Sequence, residues 1–169
     1  VLITGGGSGI GRGVARHFAM QGARVTISGR REKKLAATSN EMNGKIAYVV
    51  GDVTREVDRK SMIESSVQYG GSLDALISNA GNMYRSDVAD LDEDELLSIF
   101  HSNVIAGMML VKEAYDHLKR SQGCIIFVGS VHTQRAFPNA SPYAATKGAL
   151  ETLTGVLAAE LGKDNIRVG

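Results

Sequence analysis

Tyr143 and Lys147 stand four residues apart in the run Tyr143-Ala144-Ala145-Thr146-Lys147. On a helix that spacing places both side chains on one face, with Cβ atoms about 5–6 Å apart. The residues Ala144, Ala145, Gly148, Ala149 and Leu150 favour a helix there and leave the face uncrowded. A phenol normally keeps its proton, but an ammonium held beside it favours the phenolate and makes that proton transferable. Ser130 lies thirteen residues upstream, just after the apolar run Cys124-Ile125-Ile126-Phe127-Val128. A buried strand ending there would project Ser130 at the edge where open α/β sheets bind ligands. A hydroxyl, a tunable phenol and a lysine meeting at that edge can move a proton on and off a carbonyl oxygen. The pair alone is weak evidence, since many helices carry a half-buried tyrosine near a solvated lysine.

The elements that must position these groups alternate along the chain. Strands are expected at 1–4, 24–28, 45–50, 73–78 and 124–129, with a sixth beginning at Ile166-Arg167-Val168. Helices are expected at 12–21, 32–42, 55–69, 92–119 and 141–161, the fourth opening on the acidic turn Asp92-Glu93-Asp94-Glu95. This order predicts βαβ units and a three-layer, doubly wound parallel sheet of the Rossmann type, with residues 1–169 forming a single domain. The 169 residues hold 43% apolar and 22% charged side chains, which suits a globular core. A formal charge of +1 offers no basic field for nucleic acid, and no apolar run approaches the ~20 residues of a membrane span. Cys124 is the one cysteine, so no internal disulfide forms; a lone thiol fits a reducing, cytoplasmic setting. The chain opens directly on strand residues and stops as another strand starts, so it is expected to continue past Gly169.

The loop Thr4-Gly5-Gly6-Gly7-Ser8-Gly9-Ile10-Gly11 follows the first strand and opens the first helix. Free N–H groups and the helix dipole there favour an anion, and in a first βα unit the expected anion is a dinucleotide pyrophosphate. The spacing is T-G-x-x-x-G-x-G and matches G-x-G-x-x-G in no register. The second strand ends on Ser28-Gly29-Arg30-Arg31, without the acidic residue that holds the ribose 2′-OH of NAD. Arginine at that place accommodates the 2′-phosphate of NADP, and Arg30, nearest the strand end, is the first candidate; a solvated helix start is the plainer alternative. Asp52, followed by Val53, ends the third strand and could accept from an adenine amino group. Asn79-Ala80-Gly81 end the fourth with a small turn over which a ribose could lie. Asp, Asn and Gly also simply favour turns. Asn103 falls inside the long helix, where asparagine costs propensity and more often faces solvent.

Taken together, Thr4-Gly5-x-x-x-Gly9-x-Gly11, Asp52, Asn79-Ala80-Gly81, Asn103, Ser130 and Tyr143-x-x-x-Lys147 resemble the short-chain dehydrogenases/reductases in order and spacing, over essentially the whole chain. The resemblance implies hydride transfer between NADP(H), or less favourably NAD(H), and an alcohol or ketone. Tyr143 would be the general acid/base, Lys147 would assist it and hold the nicotinamide ribose, Ser130 would polarise the carbonyl, and Asn103 would anchor a proton-relay water. Gly5, Ser8, Gly9, Ile10 and Gly11 would surround the pyrophosphate; Arg30, Asp52, Val53, Asn79, Ala80 and Gly81 would hold the rest of the cofactor. It further implies a homo-oligomer, tetramer or dimer, packed through the helices at 92–119 and 141–161. Family members are usually longer, with a further strand, a substrate lid and a Pro-Gly turn beyond the point where this chain stops.

Several residues point elsewhere and are outweighed. His132 could line a substrate pocket, compete as a base, or belong to an ordinary loop. His17, His101 and His117 lack partners at metal-ligand spacing, so no metal is expected. Val128-Gly129-Ser130-Val131-His132 lacks the G-x-S-x-G elbow of a hydrolase. The glycine spacing also differs from that of sugar-nucleotide epimerases. The alternative of another class is an NADP(H)-binding regulatory or scaffold protein without turnover. The substrate itself is not legible in these residues.

Overall fold

The computed structural model describes residues 1–169. Six strands form one sheet: β1 (Leu2–Thr4), β2 (Val25–Gly29), β3 (Ile46–Val50), β4 (Ala75–Ser78), β5 (Cys124–Phe127) and β6 (Arg167–Val168). All pairings are parallel, in the order β3-β2-β1-β4-β5-β6. Chain order reverses between β1 and β4, which opens the crevice where a doubly wound sheet takes its ligand. Six α-helices cross between the strands: α1 (Gly9–Met20), α2 (Glu32–Asn40), α3 (Glu56–Gly70), α4 (Glu93–Phe100), α5 (Ala106–Ser121) and α6 (Ser141–Leu161).

The strands read as continuous apolar runs because both faces are covered. In β1, Leu2 joins a cluster with Met62 and Ile63 of α3, Leu110 of α5 and Leu150 of α6. Its neighbour Ile3 turns to the opposite face, against Ala15 and Ala19 of α1 and Leu35 of α2. Leu76 and Ile77 of β4 divide between the same two clusters. Each central strand thus anchors helices on both sides, and the strand ends are held in a fixed relation. None of the helices is long and apolar enough to cross a membrane.

The helix expected at 92–119 differs in one respect. Asp92 caps its start, its Oδ1 accepting from the Glu95 N–H at 2.9 Å, but residues His101–Ile105 form a π turn between α4 and α5. Asn103 sits in that turn and is buried. Its Oδ1 accepts from the Asn82 N–H (2.7 Å) and the Ser102 hydroxyl (3.2 Å), while Nδ2 donates to the Asn82 carbonyl (2.9 Å) and Thr146 Oγ1 (3.1 Å). These bonds engage both ends of the buried amide, the Ser102 proton being shared with the Ile99 carbonyl at 3.2 Å, and hold the wider turn in place.

Candidate active site

The glycine loop is built by close approach. Gly5 adopts φ +68°, a left-handed conformation open to glycine at little cost. A Cβ on Gly11 would lie 2.5 Å from both the Gly5 carbonyl oxygen and Asn79 Nδ2, so the first turn of α1 can press onto β1 only without a side chain there. Ser8 precedes α1 and makes no capping bond with its side chain. The first N–H groups of the helix are therefore left without a capping side chain, as an anion site requires.

Thr4 and Asn79 lock this loop to the end of β4. The buried Thr4 hydroxyl accepts from the main-chain N–H groups of Asn79 (3.1 Å) and Ala80 (3.0 Å). Asn79 Nδ2 returns bonds to the carbonyls of Thr4 (2.8 Å) and Gly5 (3.3 Å). Thr4 was legible as part of the glycine motif but not as a latch. Only its position at a strand end facing another strand end could have signalled it.

A cavity of about 630 Å³ runs along these strand ends. Gly5, Ser8, Arg30, Asp52, Val53, Asn79, Ala80 and Gly81 line it. Gly7 lines it too, whereas Gly9, Ile10 and Gly11 do not: Gly11 is buried beneath, Ile10 is 65% exposed, and Gly9 turns the chain at φ +53°. Asp52 Oδ1 accepts from the Thr54 N–H (3.0 Å) and hydroxyl (2.8 Å), and its other oxygen faces Arg30 at 3.8 Å. Burial alone would raise this carboxyl, but the two Thr54 bonds, with Arg30 and Arg55 nearby, hold it below the usual range. An ionised acceptor is thus kept ready at the far end of the cavity.

Arg30, the first candidate for a 2′-phosphate, leans toward Asp52. Its neighbour Arg31 instead reaches the glycine loop, donating from Nη2 to Ser8 Oγ at 3.0 Å. Lys34, one helical turn later, lines the same wall. The i, i+3 spacing of Arg31, which precedes α2, and Lys34 in its first turn was the available signal for this pair.

The second group of residues lies on the β5 side. Lys147 is 6% exposed, and its ammonium donates to the Val128 carbonyl at 2.6 Å. Burial lowers its pKa below that of a free lysine. The same ammonium lies 5.7 Å from the centroid of the Tyr143 ring, so the one-turn spacing on α6 does bring the two together. Ser130 is not hydrogen-bonded to Tyr143. Its Oγ pairs with His132 Nδ1 at 3.0 Å, and the His132 ring meets the Tyr143 ring edge-on at 5.1 Å. Asn103 joins the two groups: it contacts the cavity-lining Asn82 and Ser102 on one side and Thr146, beside Lys147, on the other. Both of its amide protons are used and its oxygen holds the Asn82 N–H, with the Ser102 proton divided between that oxygen and the Ile99 carbonyl, so a relay water is better placed on its main chain.

Comparison with known proteins agrees with this geometry. The family model for short chain dehydrogenases matches residues 1–169. Dehydrogenase/reductase SDR family member 4 of Sus scrofa is 35% identical over 99% of this chain and 62% of its own length. L-fucose dehydrogenase of Bos taurus is 33% identical over 99% and 62%, and glucose 1-dehydrogenase of Gluconobacter oxydans is 33% identical over 99% and 65%. The chain thus spans a little over three fifths of the length of these curated relatives. Among solved structures, a short-chain dehydrogenase/reductase of Caenorhabditis elegans with cofactor superposes at a TM-score of 0.92, with 34% identity over 99% of this chain and 66% of the other. The 3-ketoacyl-(acyl-carrier-protein) reductase of Brucella melitensis, complexed with NADH, superposes at 0.95, with 31% identity over 99% and 72%. With a parallel six-stranded sheet, a glycine cradle at its switch point and a family model matched from end to end, this chain belongs to the short chain dehydrogenase family.

Proposed function

We propose that the protein interconverts an alcohol and a ketone or aldehyde with NADP(H), using Tyr143 as general acid/base. The observation that carries this is Lys147: a buried ammonium, set 5.7 Å from the Tyr143 ring, on the helix that Asn103 ties to the cavity. In the reducing direction Tyr143 gives its proton to the carbonyl oxygen, and Lys147 stabilises the phenolate left behind. Ser130 donates to the same oxygen and polarises it. When bound, the nicotinamide supplies the hydride, while the protein supplies orientation and proton transfer. Resupply of the proton from Lys147 runs through a water on the main chain near Asn103.

Replacing Tyr143 by Phe tests the assignment. Loss of a positioned acid lowers kcat by about 100- to 10,000-fold, while NADPH binding, read by its fluorescence, stays at the parent level. A Tyr143→Phe protein as active as the parent would sink the assignment. A parent that binds NADPH but oxidises it with no member of a broad carbonyl panel would leave the scaffold reading in its place.

The preference for NADP(H) rests on Arg31 and Lys34 beside Ser8, with Arg30 a secondary contact. A phosphate held by an arginine that also touches the glycine loop gains a charge-assisted bond. The expected result is a higher kcat/KM for NADPH than for NADH, narrowed by about tenfold in Arg31→Ala. Comparable values for the two cofactors in the parent would remove the preference. A homo-oligomer, dimer or tetramer, is supported by the apolar groove that Met108, Val111, Tyr115, Leu153, Leu157 and Leu161 form between α5 and α6. The lone thiol Cys124 supports a reducing, cytoplasmic setting.

A further inference from the structure

The segment after β5 folds back on itself. Ser130 has extended backbone (φ −160°, ψ 149°) and caps the short turn Val131–Thr133. Its own carbonyl accepts from the Thr133 hydroxyl at 3.0 Å, which fixes the turn. His132 is thereby laid over Ser130: its main-chain N–H is 3.3 Å from Ser130 Oγ and its Nδ1 is 3.0 Å from the same atom. The imidazole is wedged between two rings, tilted by 36° on Phe137 at 4.4 Å and edge-on to Tyr143 at 5.1 Å. Its other nitrogen, Nε2, is buried and has no hydrogen-bond partner.

These contacts bear on where protons sit. A serine hydroxyl has one proton and two lone pairs, and the His132 N–H occupies one of those pairs. A neutral imidazole carries one proton. With that proton on Nε2, a buried N–H would have no acceptor, and Ser130 would have to give its only proton to Nδ1. With it on Nδ1, the ring donates into the second lone pair of Ser130, and the hydroxyl proton stays free. Buried N–H groups without an acceptor are the rarer defect.

We propose that His132 is a positioning residue: held as the Nδ1–H tautomer between Phe137 and Tyr143, it fills both lone pairs of Ser130 Oγ and leaves the Ser130 proton for the substrate oxygen. A carbonyl oxygen, and the alkoxide it becomes, only accept, so a serine restricted to donating suits both. The inference rests on the active-site reading of Ser130 and Tyr143 given above.

Two measurements on the full-length protein test it. The first is independent of turnover: long-range ¹H–¹⁵N correlation of the histidine side chains, with the His132 resonances identified by their loss in His132→Asn. Protonated Nδ1 with bare Nε2 is expected, and the reverse overturns the proposal. The second uses NADPH and a panel of ketones. His132→Phe keeps the ring packing and removes the donor; losing one such hydrogen bond lowers kcat about tenfold, with KM for NADPH unchanged. His132→Asn, whose amide nitrogen can stand where Nδ1 stood, recovers most of the loss. Parent-like kcat in His132→Phe, or equal losses in both variants, overturns it in favour of packing alone. If the parent reduces no ketone, the activity reading fails, and the tautomer alone decides the His132–Ser130 pairing.

Discussion

The two sides of the crevice satisfy their polar groups in opposite ways. On the β1–β4 side the side chains that join the strand ends are taken up by the chain itself, although Thr26 Oγ1 and Ser28 Oγ of the adjoining β2 have no partner. Thr4 Oγ1 holds two main-chain N–H groups, Asn79 Nδ2 bonds two carbonyls, and Asn103 is bonded through both its amide nitrogen and its oxygen. On the β5–α6 side the groups are short of partners. Lys147 spends one of three ammonium protons on Val128, His132 Nε2 has no partner, and the Tyr143 ring is held by its edge-on contact with His132. On the proposed reading, a pyrophosphate would be held by the uncapped N–H groups and dipole at the start of α1, in a loop whose side-chain latches are saturated and keep its shape. A reacting oxygen would meet groups that exchange protons and bonds with it, which must stay partly unsaturated. On that reading, the latched side chains lie where the guest would be held, and the proton-exchanging ones where it would be changed.

Breaking the rigid side has the largest expected effect, and two glycines of one helix separate it from ordinary helix energetics. Gly11→Val places its Cβ 2.5 Å from the Gly5 carbonyl oxygen, so the loop and α1 must part. Overpacking of this kind costs about 1–3 kcal/mol, and dinucleotide binding is lost with the loop. Gly13, two residues on, has nothing within 4 Å of a built Cβ. Gly13→Ala gains about 0.5–1 kcal/mol from helix propensity and keeps NADPH binding. Urea unfolding and NADPH fluorescence titration read both effects. Similar losses in the two variants would show that the cradle does not depend on close approach at Gly11.

The same division governs what could be read from the sequence. The sheet was legible because Leu2 and Ile3, or Leu76 and Ile77, are adjacent apolar residues that only a strand covered on both faces can bury. The glycine cradle was legible because its spacing falls between a strand and a helix. The Tyr143–Lys147 contact followed from helical spacing alone. What escaped depends on partners distant in the chain. The π turn at 101–105 is held through Asn103 by residues 21 and 43 positions away, and its sequence reads as plain helix. Thr4 looks like any β-branched strand residue until Asn79 stands opposite it. Arg30 and Arg31 are interchangeable by type, and only the path from β2 into α2 turns the second toward Ser8. The pairing of Ser130 with His132 needed the turn Val131–Thr133, which neither periodicity nor motif announces.

The smallest expected effect lies on the open side and concerns the charge of Lys147. Burial lowers its pKa in the folded protein, whereas the unfolded chain holds it near the ordinary lysine value of about 10.4. Between those two values the unfolded state binds more protons than the folded state, so stability contributed by this group rises with pH across that window. Below the folded value both states carry the charge, and the folded protein bears the full penalty of burying an ammonium with one hydrogen bond. Lys147→Met removes both the penalty and its titration. Its stability relative to the parent is therefore greatest near neutral pH and shrinks as pH rises toward the unfolded lysine value. Urea unfolding with and without Lys147→Met, in a Tyr143→Phe background and repeated from neutral to alkaline pH, isolates this term, because the neighbouring phenol that Lys147 would shift is absent and the more distant titrating groups cancel in the difference. Parallel curves would mean that the ammonium is not desolvated, and the open side would lose the feature that separates it from a solvated helix surface.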